Sequence, residues 1–118
     1  MTQDAGHDMK TRMRADLRAA MKEGRTHEAK LIRALVAAID NAEAPALPVG
    51  HNATDQHQFR DGSAEVERLS LSRAQVRAVL LAEIEERERA AAEMSRLEKQ
   101  NHEDALRAEA LLARRYVE

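Results

Sequence analysis

The sequence has no cysteine. That excludes disulfides, thiolate zinc sites and cysteine nucleophiles, and it fits a reducing compartment. Aromatic rings are nearly as scarce: Phe59 and Tyr116 are the only two, and tryptophan is missing. A core must therefore be built from Leu, Ile, Val, Met and Ala, and base stacking on single-stranded nucleic acid is disfavoured. Such small side chains bury little area each, which predicts modest stability or help from self-association. Two prolines and four glycines leave few interruptions in 118 residues. Strand formers are few, while Ala, Glu, Arg and Leu dominate, so the predicted fold is all-α. No apolar run approaches the ~20 residues of a membrane span. The polar start, Met1-Thr-Gln-Asp-Ala-Gly-His-Asp, lacks the apolar core of a secretory signal, so a cytoplasmic protein is expected. The Asn52-Ala53-Thr54 sequon is then coincidental.

The most apolar window is residues 26–43. Ile32, Leu35, Val36 and Ile39 fall at helical spacing, and Leu31, Ala38 and Ala42 widen the face. A face this wide needs more than one partner helix, which predicts a central core helix. Thr26 is a candidate cap for it. Upstream, residues 1–7 read as a disordered start. Asp8 then caps a helix over about 9–23, with Met9, Met13, Leu17, Ala20 and Met21 inward and Gly24 as its stop. The short link between these two helices predicts an antiparallel hairpin.

After Glu43 the periodicity ends at Ala44-Pro45-Ala46-Leu47-Pro48-Val49-Gly50. Residues 44–71 read as a mobile loop, with one short helical turn possible over 62–69. Ser72 and Gln75 fit a capping box opening a long helix over 73–99. Its stripe is Val76, Leu80, Ile84, Ala91 and Met94, flanked by Val79 and Leu81. Arg87 interrupts that stripe; its stem can pack while its head snorkels to solvent or meets a carboxylate, with a ligand-binding role as the alternative. Asn101 is a candidate cap for a fourth helix over 102–117, with Ala105, Ala108, Leu112 and Tyr116 on one face, supported by Leu111. Two such hairpins give a four-helix array.

Little in the chain points to catalysis. His51 and His57 flank Asp55, which falls short of the three or four convergent ligands a zinc site needs. No helix carries a Glu-x-x-His pair, no glycine-rich phosphate loop is present, and no serine sits in an elbow motif. The predicted chain has no catalytic or metal-binding residue, no cofactor and no small-molecule substrate. Glu83, Glu85, Glu86, Glu88 and Glu93 read as a solvated helix face paired with Arg87 and Arg89.

Charge is unevenly spread. Residues 9–33 carry eight basic and three acidic groups, a net of +5, whereas the remainder carries −7. Lys10, Arg14, Arg18 and Lys22 recur every four residues, which predicts that they trace one edge of the first helix. Arg25, Lys30 and Arg33 extend the series across the hairpin. A basic stripe of this kind suits a phosphate backbone. Without rings to stack on bases, the contact would be with the shape and backbone of a folded RNA.

Three segments carry a family resemblance. They are Asp8-Met-Lys-x-Arg-Met…Leu17-Arg-Ala-Ala-Met21-Lys22, Leu31-Ile-Arg33-Ala-Leu35-Val-Ala-Ala-Ile39-Asp-Asn41-Ala-Glu43, and Glu83-Ile84-x-x-Arg87-x-x-Ala90-Ala91-x-x-Met94. The closing Ala108-Glu109-x-Leu111-Leu112-x-x-Arg115-Tyr116 follows in order. Together they resemble the YqeY (GatB/YqeY) family, and the stretch around Arg33, Asn41 and Glu43 is the most distinctive. The resemblance implies residues 8–118 are the N-terminal helical domain of a cytoplasmic bacterial protein. That domain is related to the tail of GatB, a subunit of the glutamine-dependent aminoacyl-tRNA amidotransferase. It also implies an association with tRNA or a tRNA-processing protein. The family is often labelled a carbon–nitrogen ligase with glutamine as amido-N donor, a label inherited from the larger complex. Arg33, Asn41, Glu43 and Arg87 match the motif, none as a catalytic group. Family members continue after this tyrosine with Leu-Pro and a smaller second helical domain. Here the sequence stops at Tyr116-Val117-Glu118, so the second domain is expected to be absent.

The expected function is therefore a non-catalytic, tRNA-associated accessory module. The alternative is a helical protein-interaction or self-association module, with the methionine-rich first helix or the acidic third helix as its interface. No membrane partner is expected on either reading.

Overall fold

The structure, a computed structural model, describes residues 4–45 and 68–118. Those residues form four helices: α1 (Ala5–Lys22), α2 (Thr26–Glu43), α3 (Arg73–Arg96) and α4 (Gln100–Arg114). Three-residue links join α1 to α2 and α3 to α4, and each pair packs along its length as an antiparallel hairpin. The two hairpins pack through α2 against both α3 and α4, and through α1 against α3. This is the predicted all-α array. No described helix is long and apolar enough to cross a membrane.

The helix boundaries show where local signals succeed and fail. α1 starts at Ala5, so Ala5–His7 are helical and not a disordered start. Asp4 is the cap, accepting from the His7 amide at 3.0 Å, and Asp8 lies inside the first turn. The earlier start is favoured because Gly6 is buried and the Ala5 amide donates to the Leu71 carbonyl at 3.1 Å. At the other end Gly24 adopts φ +74°, as a glycine stop requires. The Arg25 amide then reaches back to the Ala20 carbonyl at 2.8 Å. That turn puts Arg25 in the cap position of α2, so Thr26 is the first helical residue and not the cap.

The Ser72–Gln75 capping box forms as predicted: Gln75 N–H donates to Ser72 Oγ at 3.1 Å, and Ser72 N–H donates to Gln75 Oε1 at 2.8 Å. α3 ends at Arg96, three residues before the predicted limit, because Glu98 takes up the left-handed φ of 58° and turns the chain. A non-glycine stop of this kind costs roughly 1–2 kcal/mol and leaves no mark in composition. α4 then begins at once from Lys99, so Asn101 sits inside the first turn and caps nothing. The chain leaves the α-helix after Arg114, and residues 115–117 form turns.

Met13, Ile32, Leu35, Ile39, Leu80 and Ile84 are the fully buried large side chains. α2 contributes half of them, in keeping with its central place. Two inward faces differ from the sequence reading. Met21 is 56% exposed at the end of α1. On α4 the buried residues are Ala110, Ala113 and the following Tyr116, while Ala105, Ala108 and Leu111 face outward. α4 carries alanine or leucine on most of its circumference, so its periodicity fits two orientations. Docking of Tyr116 selects one of them.

The predicted mobile connection is anchored at its C-terminal end. Leu71 is buried, the Leu69 amide donates to the Glu43 carbonyl at 2.8 Å, and Arg68 donates to the Asp40 carbonyl at 3.0 Å. Residues 46–67, with His51, Asp55, His57 and most of the possible turn over 62–69, lie outside the described residues.

Candidate nucleic-acid interface

The basic series on α1 divides when folded. A four-residue step overshoots a 3.6-residue turn by roughly 40°, so the series winds around the helix and does not follow one edge. Lys10 sits at its inner end and is buried. Its Nζ lies 2.7 Å from Asp40 Oδ1 and 2.5 Å from Glu43 Oε1. Burial alone would push the Lys10 ammonium down, but the hydrogen bonds it donates to Asp40 and Glu43 outweigh this and hold the group above its ordinary value. The hydrogen bond from Lys10 holds the Asp40 carboxyl below the usual range, although partial burial acts against it. Lys10 is therefore a structural cation and does not belong to a phosphate-binding surface.

Arg25 leaves the surface set for a similar reason. Its guanidinium is committed to Glu28 at 2.6 Å and Glu23 at 3.1 Å. Arg115 reaches the same Glu28 at 3.3 Å, and these bonds hold the Glu28 carboxyl below its ordinary value.

Arg14, Arg18, Lys22, Lys30 and Arg33 remain, and all are exposed. None forms an ion pair among the described residues. Arg33 is brought to α1 by a contact of its Nη2 with Met21 Sδ at 3.4 Å. Arg14 lies close enough to Asp40 to help lower that carboxyl. Both arginines therefore sit where α1 and α2 meet, and the hairpin carries unpaired cations on both helices.

The motif residues serve different ends. Glu43 is buried in the Lys10 cluster, with Arg68 Nη2 also 3.4 Å from its Oε1. Asn41 is exposed. Arg87 is only 14% exposed and meets carboxylates, as its place in the stripe predicts. Its Nε donates to Glu109 at 3.0 Å, and its Nη1 donates to the Glu83 carboxylate and carbonyl at 3.0 and 3.1 Å. It therefore ties α3 to α4. Glu85 and Arg89, the other predicted pair, stand 3.9 Å apart, and both are exposed.

The sequence reading missed what surrounds Tyr116. Its hydroxyl donates to Asp16 Oδ2 at 2.6 Å, and the Arg12 guanidinium lies 4.7 Å over its ring. Burial, reinforced by the Asp16 bond, pushes the phenol up to about 12. A phenol held so firmly protonated is a structural donor and not a base at neutral pH. Asp16 is half-buried on the inner side of α1, and its partner lies 100 residues away, so the contact leaves no local sign in the sequence.

Among the described residues no group of His, Asp or Glu is arranged to hold a metal ion. The chain matches no family model, no curated protein and no solved structure.

Proposed function

We propose that this chain is a non-catalytic accessory module that lies against the phosphate backbone of a folded RNA. The partner class is tRNA, following the YqeY-like motifs and the amidotransferase tail they bring to mind, in a cytoplasmic setting. One observation carries the reading: Arg14, Arg18, Lys22, Lys30 and Arg33 are exposed together on one hairpin and unpaired among the described residues. Cations kept free in a chain of net charge −2 are suited to releasing counterions from a polyanion. The scarcity of rings favours recognition of backbone and shape over bases.

The test is a titration of the full chain against bulk tRNA at several salt concentrations. Binding below about 100 μM at low salt is expected. The log–log salt slope should lie near −3.5 to −4.5, as about five phosphate contacts give. The double variant R14E/R18E should weaken binding at least tenfold. No salt-dependent binding at low salt would overturn the reading. It would favour the self-association alternative, for which the 70% exposure of Leu111 and 56% exposure of Met21 are the supporting observations.

A further inference from the structure

The methionines of this chain differ sharply in exposure. Met13 is fully buried, Met9 and Met94 are half-buried, and Met21 is 56% exposed. Met21 is also the one exposed large apolar side chain on the first hairpin among the described residues. It lies in the last turn of α1, seven residues after Arg14 and three after Arg18, so the three share one face. Across the hairpin its Sδ accepts from Arg33 Nη2 at 3.4 Å. Lys30 stands about one turn before Arg33 on α2. Met21 is therefore flanked by the cations of the proposed RNA surface and open to small reagents.

The chain has no cysteine or tryptophan, and its single tyrosine is buried. The Met21 thioether is thus the most readily oxidised group exposed among the described residues. A thioether is a weak acceptor, so its bond to Arg33 leaves that guanidinium free to turn to a phosphate. An oxygen on the same sulfur would hold it far more firmly, because a charged donor strengthens a bond to a good acceptor.

We propose that Met21 is an oxidation site, converted to the sulfoxide by hydrogen peroxide, and that the sulfoxide oxygen then withdraws Arg33 from the phosphate backbone. The second half rests on the RNA reading above; the first does not. In the step, sulfur gives an electron pair to the near peroxide oxygen and the O–O bond breaks. The far oxygen leaves as water, taking the proton that the near oxygen carried. Sulfur is oxidised, the peroxide is reduced, and nothing else is consumed. Arg33 favours the step by donating to the departing oxygen, where negative charge develops. The guanidinium already stands 3.4 Å from the sulfur, so it needs little movement to bond the new oxygen. Methionine sulfoxide reductases reverse this chemistry.

The full chain is treated with dilute hydrogen peroxide, and tandem mass spectrometry of proteolytic fragments follows each methionine. Met21 should react about threefold or more faster than Met9 and Met94, and about tenfold or more faster than Met13, since susceptibility follows exposure. Phenylglyoxal, an arginine reagent, should label Arg33 about twofold or more slowly once the sulfoxide oxygen holds it. Neither readout involves RNA. In titrations with bulk tRNA at low salt, oxidation should weaken binding about threefold to tenfold, the share of one phosphate contact among about five. A methionine sulfoxide reductase should restore the affinity, and peroxide treatment should leave the affinities of M21L and R33Q unchanged. Oxidation of Met21 no faster than of Met9 and Met94, or unaltered labelling of Arg33, would overturn the inference. So would equal tRNA binding by the oxidised and reduced chains, or a peroxide effect that M21L or R33Q still shows. If the reduced chain binds no tRNA, the RNA reading and the second half fall together, while the order of oxidation and the Arg33 labelling still decide the first.

Discussion

Lys10 Nζ stands 2.5 Å from Glu43 Oε1, joining the beginning of α1 to the last residue of α2 through a pair that solvent hardly reaches. The Glu43 side chain is 4% exposed and that of Lys10 10%. A buried pair gives little net stability over an apolar one, but removing one member strands the other. K10M should therefore cost about 3–5 kcal/mol in denaturant unfolding, and K10M/E43Q should recover a large part of that loss. A cost in K10M below about 1 kcal/mol would show that Arg68, 3.4 Å from the same oxygen, suffices as partner. The pH dependence has two limbs. The Lys10 value is raised above 10.5, so its contribution is complete below that pH and is lost as pH rises through the folded value. The Asp40 value is lowered below 3.8, so its contribution is complete above that pH and is lost as pH falls through the folded value.

The same carboxylate determines what residue 6 can be. A β-carbon on Gly6 would come within 2.5 Å of Glu43 Oε2. In an open helix Gly→Ala stabilises by about 1 kcal/mol. Here the glutamate is held by Lys10 and Arg68, so the clash cannot be relieved by a simple swing of the side chain. G6A should destabilise by about 1–3 kcal/mol in thermal or denaturant melts. The test position for comparison is Gly24, where no atom lies within 4 Å but φ is +74°. G24A should also destabilise, by about 1 kcal/mol, for backbone reasons alone.

Burial, and next the bond to Asp16, push the Tyr116 phenol from its ordinary 10.0 up to about 12. A raised value for a group that becomes anionic means the folded state holds the proton longer. Stability from this group is complete below pH 10 and falls as pH rises toward 12. As the sole tyrosine, it can be followed by its ultraviolet absorbance without interference. The folded chain should show a midpoint near 12, and the chain in denaturant one near 10. Y116F should lose about 1 kcal/mol and leave the alkaline limb to Lys10 alone. A folded-state midpoint near 10 would mean that neither burial nor the Asp16 bond holds the proton on the phenol.

The sequence made the two hairpins readable because their signals are local. Ile32, Leu35 and Ile39 lie on one helical face, Gly24 has the freedom a stop requires, and Ser72 and Gln75 form their reciprocal cap as spaced. The features that escaped reading depend on contacts between distant residues. Asp4 competes with Asp8 as a cap, and packing of Gly6 on Glu43 decides between them. Glu98 ends α3 in a conformation its side chain does not advertise. Lys10 shares the spacing of Arg14 and Arg18 but differs in direction, and Asp40, 30 residues away, claims it. The Tyr116–Asp16 bond spans 100 residues and the Arg12–Arg115 bond 103, so neither could be seen from a window of sequence. The candidate RNA surface is therefore legible as a charge excess, while its membership is decided by the fold.

The Leu69 amide bonded to the Glu43 carbonyl has a topological meaning. The chain leaves the first hairpin and enters the second at nearly the same point, so the join is a closed ring in outline. The two hairpins are thus fastened like a clasp, at the point where the chain leaves α2 and comes back ahead of α3.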